Sequence, residues 1–533
     1  MRRPVWLLAA LQLISGCVCS PTPGLPSDGG TTPADSGANA DSGSDGSPDG
    51  GDAGTDAGGP TDAGWANPCL PFEMPDPAVF FNSPRRVFAH YFYPFPLSID
   101  GRPSASDYYN TQYLTPSGEN GKWLPNGGYL RQRPLPTPVS DGGNYRLDNM
   151  KREVRLALNA GITGFTIDIL GPGEQDAGSH LQDLLAAAAA VDPRFKIVVM
   201  PDSSALGANA PLVESLISAV AAHPSGYRLS DGRLVVTAFD ASLQPVSYWQ
   251  GVFNDVGDAG VGVAFVPTFL GWGGNASTFG PICYGFSDWG TATPASATAS
   301  QAWPAMSHAD GKIFMMPVDP EQYRPKDFLY WEAGNSAAFR DAWTSAIDGG
   351  ADWVQLVTWS DFSESSEVEP YTDGTLADDI GTGFYDLDAY YAYWFSTGQP
   401  PALTHDVLYY AYRREPTNAS APAQSTPTTL AAGGGTPNDD IELLGFLVDA
   451  GTLSITVNGQ TSTLNAPAGL TSFRVPLQPG IPRFALLRGG AEVFAFSGGV
   501  EVTDAGGLDS GTLDLTYWTG SASVAGTCHL AIP

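Results

Sequence analysis

The chain has 533 residues, 42% of them hydrophobic, with 56 Asp and Glu against 25 Lys and Arg and a formal net charge of −31. Such an acidic excess makes nucleic acid a poor partner, because a phosphate backbone is held by clustered cations. The length exceeds one ordinary domain, and no CxxC motif or Cys/His cluster points to zinc, so two folded domains with no metal and no cofactor are expected.

At the N-terminus Arg2 and Arg3 precede an apolar run over 5–14, too short to span a bilayer but suited to a signal-peptide core. Ile14-Ser15-Gly16-Cys17 then resembles a bacterial lipobox. Residues 1–19 read as a signal peptide, Cys17 as the lipidated first residue, and the product as an exported lipoprotein held to the cell envelope by its lipid anchor alone. An ordinary secretory signal with an incidental Cys is the alternative, and export follows from both. Residues 20–64 are almost wholly Asp, Gly, Ser, Ala, Thr and Pro, with eight Asp and neither Lys nor Arg. Such a segment cannot bury a core and reads as a disordered tether. Its Asp-Ala-Gly repeats lack the fixed spacing and bidentate Glu of calcium loops. Beyond it Cys69, Cys283 and Cys528 remain; in an exported protein two of these can pair, and the spacing does not say which.

Residues 65–400 alternate β-type and helical runs. Strands are predicted at 87–93, 164–170, 196–202, 233–239, 262–270, 283–289, 312–318 and 352–359, with helices at 147–159, 180–191, 211–223, 245–256, 295–308 and 335–347. A closing helix covers 390–395, and one long connection runs from Asp100 to Asn149. Eight such units predict an α/β fold, a (β/α)8 barrel, whose site lies at the C-terminal ends of the strands. Residues 401–533 are β-only, with strands at 406–412, 441–448, 452–458, 472–476, 482–487, 492–497 and 512–518. Asn458-Gly459 is a hairpin signal, and an all-β sandwich-like C-terminal domain follows. It reads as a carbohydrate-binding module or as a structural appendage. The appendage is preferred because aromatics are sparse, Tyr517 and Trp518 excepted. A monomer is expected.

The strand ends carry the chemistry. The last barrel run, 354–359, ends in Trp359, Asp361 and Glu364. Two carboxyl groups flanking a glycosidic bond are the minimal set for glycoside hydrolysis, one as acid and one as base or nucleophile. Barrel topology brings His90, Tyr93, Asp168, Asp202, Asp240, Trp272, Tyr323 and Trp359 to the same rim as sugar-binding candidates. Competing roles are a satisfied core His90, and helix caps at Asp168 and Asp202. The glycines around Trp272 suggest an indole standing free.

Val87-Phe88-Ala89-His90-Tyr91, Phe314-Met315-Met316-Pro317-Val318 and the run from Val354 to Ser365 resemble the signature blocks of glycoside hydrolase family 71, the α-1,3-glucanases or mutanases. The resemblance runs from about Val87 to the C-terminus. The family's last block reads Thr-Trp-Asn-Asp-Tyr-Gly-Glu-Ser; this chain keeps Thr358, Trp359, Asp361, Glu364 and Ser365 and alters the other three. It implies Asp361 and Glu364 as the catalytic pair, inversion at the anomeric carbon, no metal, and α-glucan (mutan or fungal cell wall) as substrate. Inversion needs carboxyl groups roughly 6.5–9.5 Å apart, a spacing three residues of chain can provide. Glu364 is assigned as acid and Asp361 as base, the reverse order staying open. Departures occur at Asp168-Ile169-Leu170, where the family shows Asn-Ile-Gly, at Asp240, where Glu is usual, and in an unfamiliar region over 100–140. A related α-glycan hydrolase resembling endo-α-mannosidases, and a non-catalytic surface lectin, are the alternatives.

Overall fold

Eight short apolar runs pair in parallel: β1 (Arg86–Tyr91), β2 (Gly164–Ile169), β3 (Lys196–Pro201), β4 (Leu234–Val236), β5 (Val263–Phe265 with Thr268–Phe269), β6 (Gly285–Asp288), β7 (Ile313–Val318) and β8 (Trp353–Leu356). In this computed structural model β1 lies between β2 and β8, and the two halves of β5 face β4 and β6. A further parallel bridge from Phe265 to Cys283 closes the ring into a (β/α)8-like barrel. The structure describes residues 69–139, 143–374, 381–503, 511–528 and 530. The expected signal peptide, Cys17 and the expected tether therefore lie outside the described residues.

Strand alternation sorts side chains onto two surfaces. Phe88, Val198, Val235, Ala264, Met315 and Trp353 fill the barrel interior as one buried cluster. Val87, Ala89, Phe165, Ile167, Ile197 and Val199 belong to the outer core shared with the helices. By the same alternation His90, two residues beyond Phe88, points inward, and so does Asp168.

The helices begin where the sequence supplies a cap or a proline. Asn144 caps α1 (Tyr145–Asn159), Ser179 caps α2 (His180–Val191), and Asn209 with Pro211 starts α3 (Ala210–Ala221). Then come α4 (Val246–Asp258), α5 (Trp272–Phe279), α6 (Pro294–Ala299), α7 (Trp303–Ala309), α8 (Ala337–Asp348) and the closing α9 (Gly383–Thr397). Two expectations change. The helix over 295–308 is two helices, and the glycine-rich stretch after β5 is not a loop but α5, whose first N–H groups are held by Asp288.

The β-rich half is a sandwich. One sheet holds β9 (Val407–Arg413), β10 (Asp440–Leu447), β13 (Gly469–Pro476) and β16 (Tyr517–Ser523); the other holds β11 (Gly451–Val457), β12 (Gln460–Ala466), β14 (Arg483–Arg488) and β15 (Ala491–Ser497). Leu408, Tyr410 and Leu443 of the first meet Leu453, Ile455 and Phe484 of the second. Strand β12 was not foreseen, although the hairpin was: Asn458 and Gly459 both take positive φ, the demand of a two-residue turn with primed geometry. The last strand starts at Tyr517 rather than 512.

Residues 67–533 make one compact unit, because the sandwich is bonded to the barrel through buried polar groups. Glu442 on β10 accepts from Ser336, Ser472, Arg340 and Arg474. Burial opposes its charge, yet the two guanidinium groups hold its carboxyl below the usual range. Tyr517 donates to Glu332, which also pairs with Arg413, and the Trp518 indole donates to Asp514. Both aromatics are buried, as joints of the structure and not as an exposed sugar platform.

The long connection between β1 and β2 forms a wedge against the same joint. Its strand Arg133–Pro134 pairs with Tyr371–Thr372, Arg131 donates to the Leu513 carbonyl, and Arg133 makes a buried ion pair with Asp107 at 2.6 Å. Phe95 of this segment packs on Phe362, inside the predicted catalytic run.

Candidate active site

Beyond β8 the chain makes a tight turn that carries the predicted pair. The Asp361 N–H donates to Thr358 Oγ1, Glu364 N–H to the Asp361 carbonyl, and Ser366 N–H to that same carbonyl. Asp361 Oδ1 accepts from the Ser363 N–H at 3.0 Å and from its hydroxyl at 2.6 Å. Glu364 is buried and pairs with Arg324 at 2.8 Å. Burial pushes its carboxyl up, Arg324 pulls it down, and Asp361 pushes it up again; the net direction is upward.

Three predicted groups converge on this turn from neighbouring strands. Asp168, at the end of β2, is buried, and its Oδ1 has no hydrogen-bond partner. Burial, then the charges of Asp202 and Asp361, push its carboxyl well above the usual range, with Glu364 acting in the same sense. His90 Nε2 lies 3.8 Å from Asp168 Oδ2, and burial lowers the imidazole to about 3. Burial thus works against charge on both partners of this contact. Asp202 is also a helix cap: its Oδ1 caps the short helix Ser203–Leu206 by accepting from the N–H groups of Ser204 and Ala205. Burial raises its carboxyl, against those hydrogen bonds.

Asp240 and Tyr93 stand at the margin. Asp240 has φ 41° and accepts from the Ser242 hydroxyl. Tyr93 is half-buried and stacks on His180, which reaches Glu174 at 3.1 Å. Burial and the charges of Glu174 and Asp168 push its phenol up.

Three aromatic expectations are corrected. Trp272 is only 4% exposed and packs on Phe286 and Phe314, because it opens α5 and faces the outer core. Trp359 is fully buried against Phe165 and Tyr385, and Tyr323 is buried with its hydroxyl donating to the Leu513 carbonyl at the sandwich. None of the three offers a free ring face. Partly exposed aromatics beside His90 include Trp289, edge-on to it at 4.7 Å, and Phe92, stacked at 6.3 Å, with Phe239 4.8 Å from Trp289.

Arg324, Lys326 and Asp319 also border the pair. Lys326 Nζ donates to Ser363 Oγ at 3.3 Å, and Arg324 lies over the Trp331 ring. Asp319 closes β7 with both carboxyl oxygens unpartnered, and burial plus the Glu364 charge push it well above the usual range. Two cations two residues apart in the segment after a barrel strand, in a chain this acidic, were the available signal for the first two.

Taken together, the arrangement is two buried carboxyl groups on one turn, one of them paired with a cation, beside further carboxyl groups that burial pushes up and a buried imidazole. It suits proton transfer across a neutral polyhydroxyl ligand.

Comparison with known proteins adds an independent line. The family model described as glycosyl hydrolase family 71 matches residues 138–529, beginning after β1. Glucan endo-1,3-alpha-glucosidase agn1 of Schizosaccharomyces pombe is 24% identical over 383 residues, 68% of this chain and 88% of its own length. The mutanase Pc12g07500 of Penicillium rubens is 23% identical over 398 residues, 68% of this chain and 83% of its own. Among solved structures, the GH99 endo-alpha-mannosidase from Bacteroides thetaiotaomicron matches with a TM-score of 0.44 at 17% identity, covering 58% of this chain and 98% of that one. Since the family model spans most of the chain, including the carboxylate turn after β8, the protein belongs to glycoside hydrolase family 71 and is a glycoside hydrolase.

Proposed function

We propose that the protein hydrolyses α-1,3-glucosidic bonds of α-1,3-glucan with inversion, Glu364 as general acid and Asp361 as general base. The observation that carries this reading is the turn after β8, which carries both Asp361 and Glu364 and on which burial and the Asp361 charge push the Glu364 carboxyl up. Both protein hydrogen bonds to the Asp361 carboxylate fall on Oδ1, which leaves Oδ2 to orient the attacking water. Relatives whose names specify endo-1,3-alpha-glucanase activity support the linkage. Reducing-sugar release from α-1,3-glucan, set against starch, dextran, β-1,3-glucan and yeast mannan, tests the substrate. Proton NMR of the first product tests the stereochemistry, β-anomer being expected; an initial α-anomer would rule out inversion.

Arg324 makes a second prediction. Its charge opposes burial at Glu364, so Arg324→Met raises that carboxyl further. A general acid with a higher pKa stays protonated to higher pH. The alkaline limb of kcat is therefore expected to move up by about one pH unit or more, and to stay near its wild-type position in Arg324→Lys. A limb that stays put or moves down in Arg324→Met refutes the assignment of Glu364 as acid.

The leader carries a proposal of its own: export, lipidation at Cys17, and a tether over 20–64 that supplies reach without chemistry. Cys17→Ser is expected to leave the membrane pellet for the soluble fraction with unchanged kcat on soluble oligosaccharide. Continued sedimentation with membranes would exclude the lipid anchor.

A further inference from the structure

We propose that Cys69 and Cys528 are a disulfide pair that ties the first described residue of the barrel domain to the last strand region of the sandwich. Sequence left three cysteines without a pairing; packing distinguishes them. Cys69 and Cys528 are both buried, and their thiols hydrogen-bond to each other, with the Ser521 side chain also bonded to Cys69.

The two backbones are pinned beside one another independently of that contact. The Tyr409 hydroxyl donates to the Cys69 carbonyl at 2.6 Å, and the Cys528 N–H donates to the Ser521 carbonyl at 2.9 Å. Tyr409 on β9 and Ser521 on β16 are directly paired in the sheet. Cys283 is elsewhere, bridged to Phe265 in the barrel wall, with its carbonyl held by Lys312. A thiol contact between residues whose backbones are both fixed is the geometry a disulfide needs, since the bond forms only across a short gap with suitably aimed side chains.

The tie has a definite mechanical meaning. From Cys69 the chain runs along the barrel's closing helix, where Phe72 packs on Tyr390, and the Pro71 carbonyl accepts from the Thr404 N–H. Cys528 follows Gly526–Thr527, a short strand paired with β16. The bond would therefore clasp both domains within one covalent loop that encloses nearly the whole folded chain, the case in which a cross-link restricts the unfolded state most.

Formation needs an oxidant, and the chemical class is a protein or small-molecule disulfide. One thiolate attacks the donor disulfide and releases one donor thiol; the second thiolate resolves the mixed disulfide and releases the other. Two cysteine thiols become one disulfide, the donor becomes two thiols, and the two protons end on the donor. Both thiols are buried once packed, so exchange takes place before the two ends dock.

The test uses the full chain unfolded, refolded in an oxidised and reduced glutathione couple, then alkylated without reductant and mapped by peptide mass. A linked peptide containing Cys69 and Cys528, with Cys283 alkylated, is expected. Reductant is expected to lower the thermal midpoint of wild type and of Cys283→Ser by the same several degrees, and to leave Cys69→Ser and Cys528→Ser unmoved. Alkylation of both Cys69 and Cys528 in the unreduced protein, or a link from either to Cys283, overturns the pairing. If either serine variant fails to fold, the wild-type peptide map still decides. A midpoint indifferent to reductant despite the linked peptide overturns the clasp. Glucan hydrolysis is not read, so the outcome is independent of the proposed activity.

Discussion

Asp361→Asn and Glu364→Gln are each expected to lower kcat by about 10² to 10⁴ while leaving the thermal midpoint close to wild type. Each change keeps the shape of the side chain and removes only its ionisable group. Asp361 Oδ1 can go on accepting from Ser363 after amidation, so the turn survives. Arg324 loses its ionic partner in Glu364→Gln but keeps Gln322 and the Trp331 ring. Steady-state kinetics on a soluble α-1,3-linked oligosaccharide, with unfolding measured on the same preparations, checks both halves. Retention of more than about a tenth of kcat in either variant removes that residue from the chemistry. Azide supplies a further discrimination for inverting enzymes: a small anion can replace the missing base, so rescue with formation of a glycosyl azide is expected in Asp361→Asn and not in Glu364→Gln.

Trp272→Ala is expected to cost roughly 3–5 kcal/mol of stability, the usual price of a large aromatic cut from a core. That is a large share of the 5–15 kcal/mol or so by which a domain is stable. The indole is wedged between Phe286 of β6 and Phe314 of β7 where α5 meets the barrel. The backbone bonds from Trp272 and Gly271 to Asp288 remain after the change, so the loss is one of packing. Affinity of the folded fraction for an α-1,3-linked oligosaccharide should be unchanged. Calorimetric binding beside thermal unfolding separates the two roles, and weakened binding with an unmoved midpoint would return the ring to the cleft.

The carboxylate turn and Trp272 mark where local pattern suffices and where it stops. The eight barrel strands and the carboxylate run after the last of them were legible, because a buried parallel strand is a contiguous apolar run and turn residues end it abruptly. The sequence could also identify the Asn458-Gly459 hairpin, since the turn chemistry is local. Failure began where a side chain's environment is assembled from distant segments. Gly271-Trp272-Gly273-Gly274 has the composition of a loop, yet Asp288 from the next strand holds its N–H groups and lets it open a helix, which turns the indole inward. Tyr323 looks like a sugar-binding group at the rim until Leu513, 190 positions further along the chain, takes its hydroxyl. Local pattern thus made the barrel and the carboxylate run after its last strand legible. Only tertiary packing decided which aromatics stay free, that Arg324 sits on Glu364, and which two of three cysteines touch, because burial and charge pairing are properties of the neighbours a fold supplies and not of the residue itself.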